Sequence, residues 1–252
     1  MVPEGRSGYP VQLQLAGWPV LVVGGGMVAA RKVQRLLASG AVVTIVAPRL
    51  VPELEALNAA SGAATRGGAP ETSAGARGAV DATAPGVEWR QRAFAPGDVG
   101  KARLVFAATD SEAVNRTVAE VARAAGVLVN VADDPVASDF HLPALVQRGD
   151  LQVAIATGGR APFLARRLRE RWERQLGPEW EDWVAAAARF RAEVRRRIPD
   201  PASRERLHDR FAVETLPDGA DLPRPCAEET WRRWIEATIE TGRGGCEDLS
   251  AR

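Results

Sequence analysis

The sequence has 252 residues, 46% of them hydrophobic, with 33 Lys and Arg against 32 Asp and Glu and a net charge of +1. There is apolar chain enough for one large domain or two modest ones, and the charge balance excludes an overall field that would draw the protein to nucleic acid or a membrane. Two cysteines, Cys226 and Cys246, and two histidines exclude a disulfide scaffold and a zinc ribbon and point to a reducing cytoplasm, while no stretch approaches the ~18 apolar residues of a membrane span and no leader is expected at the N-terminus.

Residues 20–23, VLVV, form an apolar run that ends in Gly24-Gly25-Gly26, and from Met27 to Leu37 apolar residues recur at helical spacing until Gly40. This predicts strand, glycine turn and helix. Residues 41–48, AVVTIVAP, are predicted to be a second buried strand stopped by Pro48, giving a right-handed βαβ unit. Residues 59–85 are small and polar and are expected to form a flexible surface insertion. Strands are predicted over 87–94 and 102–110, a helix from Ser111 to Ala125, and a strand over 126–135. The alternation predicts an α/β fold, a doubly wound Rossmann domain over residues 8–135.

After Pro135 two short strands joined around Arg148-Gly149-Asp150 suggest a separate antiparallel element over 136–161. Residues 162–252 are expected to be a helical C-terminal region, broken near Gly177-Pro178, with a Pro-rich linker over 199–225 and a last helix over 228–241.

Several groups of residues carry chemistry. Gly24, Gly26 and Ala29 read as G-x-G-x-x-A, a turn in which the first glycine closes the bend, the second lets pyrophosphate approach the backbone and the third position allows close helix packing. The acid that usually holds the ribose about 20 residues later is absent. Ala47, Pro48 and Arg49 stand there instead, and Arg49 would favour a 2′-phosphate, so NAD and NADP both stay open on these residues. Asp110 ends a predicted parallel strand, where ligands of open α/β sheets bind and a carboxylate can accept a proton; it also fits a capping box with Thr109 as N-cap and Glu112 at N3. Asp133, Asp134, Asp139 and His141 cluster after the last strand without the spacing of a standard metal site. ATGGRAP, residues 156–162, offers backbone N–H groups and Arg160 to an anion or forms a connecting turn, and Arg160, Arg166 and Arg167 would suit carboxylates.

Four segments, in order, carry a resemblance: YPVQLQLAGWPVLVVGGGMVAARKV, LVFAATDSEAVN, NVADDPVASDFHLPA and GDLQVAIATGGRAPFLARRLRE. Together they resemble the precorrin-2 dehydrogenases of sirohaem synthesis, including the N-terminal part of the sirohaem synthases, over most of residues 8–175. The resemblance implies NAD-dependent oxidation of the tetrapyrrole precorrin-2 to sirohydrochlorin by a cytoplasmic homodimer: a Rossmann domain, a dimerisation element and a helical domain. It implies Asp110 as the catalytic residue, and Gly24, Gly25, Gly26, Met27, Val28, Ala47, Pro48 and Thr109 around NAD. Asn130, His141, Gly158, Gly159, Arg160 and Arg166 are expected around the substrate, whose eight peripheral carboxylates call for arginines and helix N-termini. No resident metal, nucleic acid or membrane is expected. Two alternatives stand beside this reading: an enzyme that also inserts ferrous iron into the product, with Asp110 and His141 near the metal, and a non-catalytic dinucleotide-sensing module.

Overall fold

The computed structural model describes residues 8–64, 86–216 and 226–241, and the chain divides into two compact units between Leu142 and Pro143. The first unit holds β1 (Pro19–Val23), α1 (Met27–Ala38), β2 (Val42–Val46), α2 (Pro52–Ala64), β3 (Gly86–Arg90), β4 (Leu104–Ala107), α3 (Glu112–Ala124) and β5 (Leu128–Val131). Its strands form one parallel sheet in the order β3-β2-β1-β4-β5.

Both faces of the central strands are covered, which is why they read as continuous apolar runs. Side chains alternate across a strand, so Val20 and Val22 of β1, with Leu104 and Phe106 of β4, join Ala29, Val33 and Leu36 of α1 and Leu54 of α2 in one core. Leu21, Val23, Val105 and Ala107 point the other way, onto Val118, Ala119 and Ala122 of α3. α1 stops at Ser39, and Gly40 follows in the left-handed region at φ 76°, as its place in the sequence predicts.

β1 pairs with β2 on one side and β4 on the other. The chain therefore reverses its direction of travel across the sheet between β1 and β4, and open α/β sheets bind ligands at the carboxyl ends of such a pair.

The outer edge of β5 is closed by the segment that follows it. The Asp139 N–H donates to the Val129 carbonyl at 2.8 Å, and the Asp139 carboxylate accepts the Val129 N–H at 2.9 Å. The Ser138 hydroxyl accepts the Val131 N–H and donates to the Asp134 carbonyl. Ser138 and Asp139 thus supply partners for the outer N–H and carbonyl groups of β5 without forming a strand. The backbone strand itself is shorter than the sequence suggests, ending at Val131, because Asp133 turns into the left-handed region at φ 59° and Asp134 accepts the N–H groups of Val136 and Ala137.

The second unit holds the antiparallel hairpin β6 (Ala144–Arg148) and β7 (Leu151–Ile155), followed by α4 (Pro162–Gln175), α5 (Glu179–Arg197), α6 (Pro201–Thr215) and α7 (Glu228–Thr241). Arg148 caps the end of α4, donating to the carbonyls of Leu176 and Glu173 at 2.7 and 2.8 Å. Phe190 stacks on Phe211 at 4.7 Å and meets Trp231 edge-on, and with Val194, Leu207 and Ile235 these rings form the helical core.

Three expectations are corrected. Residues 59–64 are not part of a flexible insertion but the last turns of α2: alanine needs no burial to favour a helix, so a stretch poor in apolar bulk continues the helix. Residues 65–85, the rest of that expected insertion, lie outside the described residues. The Pro-rich linker expected over 199–225 instead contains α6, where Asp200 is the N-cap, Pro201 occupies the first turn, and Leu207, Phe211 and Thr215 are buried. A proline there initiates a helix, since its missing N–H would have no intrahelical partner; residues 217–225 are outside the described residues. The capping box also shifts: Ser111 is the N-cap of α3 and accepts from the Val114 N–H, while Glu112 is the first helical residue. Thr109 is drawn away by Asn115. Among the described residues no helix is long and apolar enough to cross a membrane.

Candidate active site

The three glycines have three separate tasks. Gly24 has φ +123°, and a Cβ there would lie 2.2 Å from the Ala108 carbonyl oxygen, so the β1 turn passes directly against the end of β4. A Cβ on Gly25 would lie 1.9 Å from the Arg49 carbonyl oxygen, and the Val51 N–H donates to the Gly25 carbonyl at 2.9 Å, so the turn is also sealed against the loop after β2. Gly26 differs: a Cβ there would meet nothing within 4 Å.

That open space sits at the start of α1. Gly26 is its N-cap, no side chain caps the helix, and the first turn carries no acid. Intrahelical bonding begins with the Ala30 N–H to Gly26, which leaves the N–H groups of Met27 and Val28 among the helix donors without an intrahelical partner. Both residues are partly exposed. Backbone donors, the positive helix end and room for a ligand at Gly26 together make an anion cradle that fits a pyrophosphate.

On the β2 side, Ala47 is buried and its polar backbone atoms are engaged by β3. Its N–H donates to the Arg90 carbonyl at 3.3 Å, and its carbonyl accepts the Trp89 indole N–H at 2.9 Å. Pro48 is exposed and has no N–H, and Arg49 beside it is exposed.

Across the cradle, β4 runs into Ala108, Thr109 and Asp110. Thr109 is fixed by Asn115 of α3: the Asn115 amide oxygen accepts from the Thr109 N–H at 3.1 Å and its hydroxyl at 2.7 Å, while the Asn115 amide nitrogen donates to the Thr109 carbonyl at 3.0 Å. Asp110 is exposed and makes no hydrogen bond or ion pair among the described residues. Its carboxylate is free to meet a ligand or proton at the carboxyl end of β4.

Asn130 is placed differently from the expectation for a substrate ligand. It is buried, accepts from the Lys32 ammonium at 2.9 Å and donates to the Phe140 carbonyl at 2.9 Å, so both ends of its amide are spent inside the unit. Lys32 also lies over the Phe106 ring; burial holds its ammonium below the usual lysine range, with the Asp133 carboxylate pulling the other way. His141 is exposed. Of the aspartates near it, Asp134 and Asp139 are committed to the β5 edge, and no group of three His, Cys, Asp or Glu side chains suits a metal among the described residues.

Sequence reasoning missed Asn115 and Lys32. Asn115 lies on the buried face of α3, three and four residues before Val118 and Ala119, and a polar residue inside an apolar stripe was the available signal. Lys32 is one of two lysines in the chain, which marked it only by rarity.

The remaining expected residues lie in the second unit. Gly158 and Gly159 take φ 61° and 75° in the turn from β7 to α4, where the Thr157 hydroxyl accepts the Ala161 N–H and the Thr157 carbonyl accepts the Arg160 N–H. Arg160 and Arg166 are exposed and form no ion pair among the described residues, whereas Arg167 pairs with Glu170.

The chain is similar to known proteins in sequence and in fold. A family model described as "Putative NAD(P)-binding" matches residues 11–144, and one described as sirohaem biosynthesis protein, central, matches residues 148–175. The siroheme synthase of Thioalkalivibrio sulfidiphilus is 35% identical over 93% of this chain and 42% of its own length. That of Gluconacetobacter diazotrophicus is 42% identical over 81% of this chain and 39% of its own. The chain thus spans about two fifths of the length of these curated relatives. The solved structure of SirC, precorrin-2 dehydrogenase, shares the fold with a TM-score of 0.66 at 23% identity, over 93% of this chain and all of that one. With its family model covering more than half of the 252 residues, from the strand before the glycine cradle to the closed edge of the sheet, this chain belongs to the NAD(P)-binding family so described.

Proposed function

We propose that this chain oxidises precorrin-2 to sirohydrochlorin with NAD in sirohaem synthesis. The observation that carries the reading is the pairing of an open phosphate cradle at Gly26 with a free carboxylate, Asp110, on the two strands that flank the switch point. The similarity to siroheme synthases supplies the substrate.

Bound NAD supplies the hydride acceptor. Gly24–Gly26 and the N–H groups of Met27 and Val28 hold its pyrophosphate, and the backbone of Ala47 and Pro48 borders its ribose. Thr109, clamped by Asn115, sets the direction in which the chain leaves β4, which positions Asp110. As the substrate loses a hydride and a proton, Asp110 takes the proton. In the first unit exposed His141 is available to a substrate carboxylate, and in the second unit the exposed Arg160 and Arg166 suit carboxylates, for which a guanidinium has matching geometry. The same reading has the enzyme work in the cytoplasm as a homodimer, since a hairpin of two strands is marginal without further packing. Sedimentation that finds only monomer at working concentration sinks the dimer.

The test is an anaerobic assay with freshly made precorrin-2 and NAD, following sirohydrochlorin absorbance, beside Asp110→Asn. Wild type should turn over, and the variant should lose about 10²-fold or more in kcat with NAD affinity retained. An active variant returns Asp110 to an ordinary surface position; no turnover in wild type, with NAD bound, rules out the dehydrogenase and favours a dinucleotide sensor.

A further inference from the structure

We infer that Lys32 and Asn130 are positioning residues for the reaction: acting through the Phe140 carbonyl, they fix the place of His141, which is offered to a substrate carboxylate. The inference deepens the proposed function and rests on its reading of His141.

Lys32 stands on α1, the helix that opens at the glycine cradle. Its ammonium donates to the Asn130 amide oxygen at 2.9 Å and lies 5.4 Å from the centre of the Phe106 ring. Phe106, Phe140 and Ala132 around it belong to the apolar core on this face of the sheet. Among the described residues no carboxylate forms an ion pair with Lys32, and Asp133 acts on its charge from a distance. A long apolar side chain here would pack on the rings with no charge to desolvate, so the fold by itself does not call for a lysine.

What a lysine adds is direction. An ammonium can only donate, so it draws the oxygen of the Asn130 amide to itself and turns the amide nitrogen toward the Phe140 carbonyl, to which that nitrogen donates at 2.9 Å. With an apolar residue at position 32 the amide is free to flip, and its oxygen would then oppose the Phe140 carbonyl. The Phe140 ring is held as well, edge-on to Phe106 at 5.5 Å. Ser138 and Asp139 close the β5 edge without help from Asn130. The Asn130 bond to Phe140 therefore serves the chain beyond Asp139, and the next side chain there is His141.

The test uses the whole chain labelled with nitrogen-15 at histidine alone. His141 and His208 are its two histidines, so two amide signals are expected, and His141→Ala assigns them. His208, inside α6, is the internal reference. In wild type both amides should have order parameters of about 0.85; in Asn130→Asp and Lys32→Met that of His141 should fall to about 0.6 or below, with His208 unchanged. Asn130→Asp keeps an acceptor for Lys32, so it loses the hold on Phe140 while the bridge to α1 survives. In anaerobic kinetics with NAD, each of His141→Ala, Asn130→Asp and Lys32→Met should raise KM for precorrin-2 about fivefold, a loss typical of one polar contact, with kcat little changed. Combining His141→Ala with Asn130→Asp should leave the factor near fivefold, because both remove the same contact. A His141 amide that stays rigid in both positioning variants, or KM factors that multiply, overturns the inference while the dehydrogenase reading stands. A KM that His141→Ala does not move overturns it together with the reading of His141. If wild type does not turn over, the dehydrogenase reading falls, and the order parameters alone decide whether Lys32 and Asn130 hold His141.

Discussion

The turn after β1 and the loop after β5 leave the same edge of the sheet, yet they treat their polar groups in opposite ways. After β1, Gly24 and Gly25 use their lack of side chains to press against Ala108 and Arg49, and the N–H groups of Met27 and Val28 at the start of α1 have no partner among the described residues. After β5 almost every polar side chain is committed: Asn130 to Lys32 and Phe140, Asp134 to two N–H groups, Ser138 to Val131, and Asp139 to Val129 and Arg123. A cluster of acids after a strand looks more like a binding site than three glycines do. Here the hydrogen-bonding capacity left open among the described residues lies at the glycine turn, while Asp134 and Asp139 serve the fold.

The comparison is most sharply broken at Gly25. Gly25→Ala drives a methyl group into the Arg49 carbonyl, and the first unit should lose about 3 kcal/mol in urea unfolding; a loss under about 1 kcal/mol would show that the seal between the two loops gives way easily. Asp98 gives a second committed group. Its side chain is 2% exposed and accepts from Arg92, Arg90 and the Ala95 N–H, and hydrogen bonds from Arg92 above all hold its carboxyl below the usual range. Asp98→Asn should cost about 2 kcal/mol at neutral pH. Because the folded pKa is the lower one, this stabilisation is complete above the ordinary carboxylate pKa and is lost as pH falls through the folded value, so the gap between wild type and variant should close in acid. A gap independent of pH would mean that packing, not charge, is what Asp98 supplies.

Gly26→Ala tests the open side. The extended backbone there suits any residue and the added methyl meets nothing, so folding should change by less than about 1 kcal/mol while dinucleotide affinity falls about tenfold or more, as the methyl fills the space meant for phosphate. Equal affinity in the variant would move the cradle elsewhere. The smallest effect is expected at Asp139: Asp139→Ala leaves the Val129 N–H without its acceptor and should cost about 1 kcal/mol without altering dinucleotide binding. A variant that folds as well as wild type but binds poorly would show that the β5 loop belongs to the site after all.

Much of the fold was legible because its signals are periodic. The alternation in β1 and β4, and the glycine stops at Gly24 and Gly40, follow from sterics that act within a few residues. α2 and α6 were obscured where composition misleads: Ala59–Ala64 lacks bulk yet favours a helix, and Pro201 opens a helix that a Pro-rich count treats as linker. The glycine cradle and the exposed Asp110 were legible by position on the sheet. The commitment of Asn130, and the clamp of Asn115 on Thr109, were not, because each depends on a partner brought near by tertiary folding: Lys32 is 98 residues from Asn130 in sequence.

The committed loop after β5 also bears on how the folding chain avoids aggregation through its sheet edge. A parallel sheet ends in strands whose outer N–H and carbonyl groups can recruit a foreign strand, the usual route into aggregates. Here Ser138 and Asp139 close that edge from within about ten residues of chain, so the cover is in place nearly as soon as β5 forms. A chain in which β5 has joined β4 would then expose no open ladder at β5 while the longer-range pairings of β2 with β3 and of β1 with β4 are completed.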